Sequence, residues 1–157
     1  MSFRRFALGG TRARALLVPC FVACALLLAA CHRAPKEVHI DLASVGEQMQ
    51  YDKKELTVPS GSKVTITFKN NAKGAAMTHN FVLVQPGMTE SVGIAATKVG
   101  IEQGYVPSHY AIIASSPLTK PGETVTFSFM APPSGTYEFL CTTPGHFAVM
   151  RGTFIVQ

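Results

Sequence analysis

The 157-residue chain reads as an all-β protein, an antiparallel β-sandwich of about eight strands with one short helical insertion. Three observations lead there. Apolar and polar residues alternate at a period of two in segment after segment, the pattern of strands with one face in a core. Thirteen Gly and ten Pro fall largely between those segments, where turns need them. Apolar residues make up 47% and charged residues 15%, which excludes a disordered chain and leaves enough apolar surface for one core.

The elements follow in order. Val38, Ile40 and Leu42 alternate with polar neighbours in a first strand. Val64, Ile66 and Phe68 do the same between Lys63 and Lys69. Residues 79–84 form a strand opening on Met77-Thr78-His79-Asn80. Residues 89–103 break the rhythm: Val92, Ile94, Ala95, Ala96, Val99 and Ile101 suit a short helix with one apolar face. Residues 110–114 return to a strand. Val125, Phe127 and Phe129 alternate after the turn Pro121-Gly122-Glu123. Tyr137, Phe139 and Cys141 alternate after the breaker Pro132-Pro133-Ser134-Gly135. Residues 153–156 close the chain as a final strand.

The N-terminus reads as an export signal. Basic residues precede an apolar run at residues 15–30, too short for a membrane span and right for a signal. Arg4-Arg5 fits a plain basic start better than a twin-arginine signal, given its flanks. The run ends Leu27-Leu28-Ala29-Ala30-Cys31, which resembles a bacterial lipobox. That resemblance implies cleavage before Cys31, lipidation of Cys31, and a protein tethered to a bacterial membrane and facing the periplasm. The expected organisation is a signal peptide at 1–30, a lipidated Cys with a short linker at 31–36, and one domain at 37–157.

The net charge of +5 belongs to that leader. Arg4, Arg5, Arg12 and Arg14 stand without an acidic neighbour, whereas the chain from Cys31 onward carries ten basic and nine acidic residues. The basic balance therefore gives no reason to expect nucleic acid. Cys20 and Cys24 leave with the signal and Cys31 takes lipid, so Cys141 is the lone thiol of the mature chain. A lone thiol in an exported protein is a buried inert residue, a nucleophile or a metal ligand.

The C-terminal segment favours the last. Cys141-Thr142-Thr143-Pro144-Gly145-His146-Phe147-Ala148-Val149-Met150 sets a thiol, an imidazole and a thioether at a Cys-x4-His-x3-Met spacing, and His79 offers a second imidazole. Two His and one Cys in a plane, with a weak axial Met, is the blue-copper electron-transfer donor set. Zinc would recruit another Cys, His or carboxylate instead of Met.

With these residues the sequence resembles the cupredoxins, the type 1 blue copper proteins, and within them the azurin and auracyanin branch. The resemblance runs from Val38 to Val156 and includes Gln48-Met49-Gln50, Met77 to Asn80 and Cys141 to Gly152. It implies a Greek-key sandwich holding one copper, with His79, Cys141 and His146 as equatorial ligands and Met150 axial. It also implies a weak contact from the backbone carbonyl of Thr78, where azurins carry Gly. Asn80 matches the family residue that ties the first ligand strand to the residue after the Cys, here Thr142. Pro144 has no N–H to offer the sulfur. The resemblance further implies an apolar docking rim of Met49, Met77, Phe147, Ala148 and Val149, although Met is also an ordinary core filler. Three departures stand out: no Cys at the usual disulfide positions, with Ser62 near one; Thr143 in place of an aromatic; and bulky Phe147 after the ligand His.

The function implied is an electron carrier exchanging electrons with a redox protein such as a cytochrome, reductase or oxidase. No nucleophile–base pair suggests an enzyme or a small-molecule substrate. The alternative is periplasmic copper storage or delivery by the same ligands; a metal-free module on the same scaffold is a third reading. His32, His39 and His109 read as surface residues.

Overall fold

The computed structural model describes residues 34–157, where eight strands and one α-helix form a two-sheet sandwich. The leader, Cys31 and His32 lie outside the described residues. The strands are β1 (Glu37–Ala43), β2 (Glu55–Val58), β3 (Lys63–Lys69), β4 (Val82–Val84), β5 (Ile112–Ser115), β6 (Thr124–Met130), β7 (Gly135–Leu140) and β8 (Arg151–Val156). Helix α1 (Thr89–Ala96) and a 3₁₀ turn, Ile101–Gln103, lie between β4 and β5.

One sheet has the order β1-β3-β6 and the other β2-β8-β7-β4-β5. The sandwich is all-β, but its sheets are mixed and not wholly antiparallel. β1 runs parallel to β3 from Glu37↔Lys63 to Ala43↔Lys69, and β2 runs parallel to β8. The remaining pairs are antiparallel.

Alternation in sequence becomes alternation of burial. Val64, Ile66 and Phe68 are buried along β3 while Lys63 and Lys69 are exposed. These side chains meet Leu56, Val58, Leu83, Phe139 and Phe154 of the other sheet, with Phe81 just before β4, in the main core. Residues facing each other across such a core need no further specification than a period of two. β4 is the exception, because all three of its residues are buried. Leu83 faces the main core, whereas Val82 and Val84 face outward into a second cluster with Leu140, Val92 and Ala111 beneath α1. The helix exists to cover that outer face.

Segment 79–84 is a strand only from Val82. His79 instead makes an isolated bridge to Thr119, with His79 N–H donating to the Thr119 carbonyl at 3.0 Å and the reverse bond at 2.7 Å. The stretch 89–103 is likewise a helix only to Ala96, followed by loop and the short 3₁₀ turn.

One end of the sandwich gathers the segments of interest. β1 and β3 both finish there, and their following loops, 44–51 and 70–77, are tied together through Ser44 and Asn70. β4 begins there, β7 ends there and β8 starts there, with Leu140 paired to both Val82 and Arg151. The opposite end holds both extremities of the described chain. Lys63 N–H donates to the Lys36 carbonyl, and Gln157 accepts from Ser60 N–H.

Candidate metal centre

Cys141 is the first residue past β7, and Met150 the last before β8. Its N–H donates to the Met150 carbonyl at 2.9 Å, adding one rung to the β7–β8 ladder and closing the loop between them. Within the loop the His146 N–H donates to the Thr143 carbonyl, and the His146 carbonyl accepts from the Val149 and Met150 N–H groups. Gly145, at φ 84°, makes the reversal that returns His146 toward Cys141; only a residue without a Cβ takes that conformation freely.

Three ligand-type atoms from two distant chain segments converge. His79 Nδ1 and His146 Nδ1 are 3.2 Å apart, and Cys141 Sγ lies 3.8 Å from the first and 3.7 Å from the second. His79 and Cys141 are fully buried, whereas His146 keeps 7% exposure. Met150 is buried in the same core cluster as Cys141.

The triangle fits a metal. The point equidistant from its corners lies about 2.1 Å from each, against ordinary bonds to zinc of about 2.0–2.1 Å for imidazole nitrogen and 2.3 Å for thiolate. His79 Nε2, the ring nitrogen that is not part of the triangle, is buried without a hydrogen-bond partner. The donor chemistry, two imidazoles, a thiol and a nearby thioether, suits copper.

Electrostatics prepare the nitrogens. Burial chiefly, and then the neighbouring His146, pull His79 down to about 4, against the opposing charge of Glu47. Burial also lowers His146. Both rings are therefore neutral and able to donate lone pairs at neutral pH. Burial pushes the Cys141 thiol up, and the neighbouring Thr143 and the Asn80 backbone oppose that rise by favouring the thiolate. The sulfur thus has backbone donors despite Pro144.

The surroundings lock these groups. Asn80 Nδ2 donates to Thr142 Oγ1 at 2.7 Å, and its Oδ1 accepts from Thr142 N–H at 2.8 Å. Tyr51 donates its hydroxyl to the Asn80 carbonyl at 2.6 Å. Its ring packs 5.1 Å from Phe139, which stacks on Phe81 at the same spacing. Nothing in the sequence marks Tyr51, which stands between polar Gln50 and Asp52 outside any strand. The Thr78 carbonyl accepts a hydrogen bond from the Thr143 hydroxyl at 2.9 Å.

The apolar rim divides. Met49, Ala148 and Val149 are exposed and Met77 half-buried, but Phe147 turns inward onto Gly93 of α1. His39 is exposed beside Glu37, and His109 stacks on Tyr110 near Ser91; neither approaches the triad. Among the described residues, Cys141 is the only free cysteine.

Comparison with known proteins agrees with this geometry. Residues 38–157 match the family model of copper binding proteins, plastocyanin/azurin family. Auracyanin-A of Chloroflexus aurantiacus is 44% identical over 123 residues, spanning 76% of this chain and 75% of that one. Azurin-1 of Alcaligenes xylosoxydans xylosoxydans is 35% identical over 123 residues, spanning 74% and 95%. The solved structure of auracyanin A, a blue copper protein from the same Chloroflexus, superposes with a TM-score of 0.72 at 43% identity, covering 77% of this chain and 99% of that one. The chain belongs to the plastocyanin/azurin family of copper-binding proteins, carriers of electrons that hold one type 1 copper and are not enzymes.

Proposed function

We propose that the chain is a membrane-tethered periplasmic electron shuttle whose copper would be held by His79, Cys141 and His146 together with Met150. The observation that carries the ligand set is the triangle of two Nδ1 atoms and one Sγ, with edges of 3.2 to 3.8 Å, buried at one end of the sandwich. When bound, copper supplies a one-electron Cu(II)/Cu(I) couple. The protein's part is to hold the donors still. His79 is fixed by its paired bonds to Thr119, Cys141 by the ladder to Met150, and His146 by the turn of its own loop. Asn80 joins the first ligand segment to the second through Thr142.

His146 is the ligand nearest solvent, and exposed Met49, Ala148 and Val149 belong to the loops at the same end. A redox protein docking there would exclude water with apolar contacts and bring its own centre toward the His146 ring. The Thr78 carbonyl accepts one hydrogen bond from the Thr143 hydroxyl, and its second lone pair would remain for the weak contact. Retention of copper, not its delivery, follows from ligands buried beneath a hydrogen-bonded loop.

Export and anchoring rest on the leader and the Leu27-to-Cys31 motif. Among the described residues no helix is long and apolar enough to cross a membrane. Intact mass of the protein from a bacterial membrane fraction tests the assignment: it should begin at Cys31 and carry lipid, and an unlipidated start elsewhere would refute it.

Adding Cu(II) and then ascorbate to the purified protein tests the site. A strong visible thiolate-to-copper band, bleached on reduction and missing in Cys141→Ser, is expected. Colourless stoichiometric binding would point to storage or delivery.

A further inference from the structure

Helix α1 carries a buried glycine in its middle. Alanine is the better helix former at such a place, so local propensity gives no reason for Gly93. The reason lies across space. A Cβ there would overlap the Phe147 ring, with even Cδ1 only 2.9 Å away. Phe147 follows His146 in the chain and joins Val92, Leu140 and Ala111 in the small cluster under the helix.

The same insertion meets the site at a second point. Just past the 3₁₀ turn, Gly104 adopts φ 61° and its carbonyl accepts from Asn80 Nδ2 at 2.9 Å. That amide also reaches Thr142 Oγ1. Residues 141–150 are therefore held from outside near both ends of the Cys-to-His stretch, at Thr142 through Asn80 and at Phe147 directly.

We propose that residues 89–104 act as a clamp on the ligand loop, with Gly93 as the seat and Phe147 as the tongue. Swinging His146 away from Cys141 requires the backbone at residue 147 to turn, which lifts the ring off its seat. The clamp keeps His146 and Met150 in place with or without metal and sets how fast copper escapes. Gly93 and Phe147 are positioning residues in this scheme, which rests on the copper assignment above.

Two measurements on the purified protein test it, in the parent, Gly93→Ala, Phe147→Ala and the double variant. The first is hydrogen exchange of the metal-free protein; the second is copper loss to a chelator. Gly93→Ala displaces the ring, and both it and Phe147→Ala should speed copper loss about ten- to a hundred-fold, the range of a spoiled core contact. Exchange at the Val149 and Met150 amides should rise while β3 and β6 stay protected. The double variant should be no worse than the worse single one. Phe147→Ala and the double variant carry no clash, so they remain informative if Gly93→Ala fails to fold. Loop exchange and copper loss within twofold of the parent in both would overturn the clamp. A parent that binds no copper would overturn the copper assignment instead, and the exchange experiment would still decide the clamp.

Discussion

At neutral pH both imidazoles of the triad are uncharged and the thiol keeps its proton, because burial opposes charge on all three. Copper uptake must therefore expel the Cys141 proton, and about one proton per copper should appear in weakly buffered solution at pH 7. Cys141→Ser should release none. The histidines give the metal-free protein a sloped acid side. Folded His79 binds a proton only near pH 4, whereas an unfolded chain binds one near the ordinary 6.5. Between those values the unfolded state holds more protons, so stability is full above about pH 7 and declines as pH falls through 6.5 toward 4. His146 adds in the same direction. Urea midpoints of the metal-free protein at pH 7, 6 and 5 should fall in that order; a flat or rising series would contradict the assignment. Asn80 lends itself to a different test. Asn80→Ala strands the buried Thr142 N–H and the Gly104 carbonyl, and should lower stability by about 1–3 kcal/mol. The Cys-x4-His-x3-Met spacing was legible because three donors sit in one continuous loop. Tyr51 on Asn80, or Phe147 on Gly93, join residues far apart in sequence, and periodicity carries no trace of such pairs.

Among the elements, strand identity was readable and strand pairing was not. Period-two alternation tells which face is buried, and it placed β1, β3, β6, β7 and β8. It does not tell which neighbour a strand adopts, so the parallel pairs β1–β3 and β2–β8 went unseen. β2 was missed altogether: four residues with Leu56 and Val58 as its only apolar members fall short of a pattern. The helix was overextended because Val99 and Ile101 keep its apolar spacing beyond Ala96, although Gly100 interrupts it. β8 supplies a prediction of its own. Gly152 faces Phe139 across the ladder, and an added Cβ would overlap that ring and lie 2.6 Å from the Lys54 carbonyl. Backbone cannot yield as a flexible side chain would, so Gly152→Ala should destabilise by about 1–3 kcal/mol in urea unfolding, with Thr153→Ala, further along the same strand, as a milder control.

At the scale of the whole molecule, the exposed residues of the ligand loop itself, Pro144, Ala148 and Val149, are apolar, and charges of both signs, Glu47, Lys69, Lys73, Lys120, Glu123 and Arg151, are exposed around them at the same end. Association with a redox partner should therefore change less than about threefold between 50 and 500 mM salt, a range over which a strongly steered encounter slows far more. Stopped-flow oxidation by a soluble cytochrome across that range measures it, and a steep salt slope would locate docking elsewhere. Val149→Asp should slow the same reaction with little change in stability, since the residue is 53% exposed.

Both extremities of the described chain lie at the end opposite the triad, separated from it by the length of the seven-residue strand β1, about 23 Å. On the docking proposed above, the sandwich works as an insulated plug whose contact is the ligand-loop end, and a protein that gives an electron and a protein that takes one would queue for the same socket. Excess of either partner should jam the relay, and a C-terminal tether to an electrode should leave the contact free.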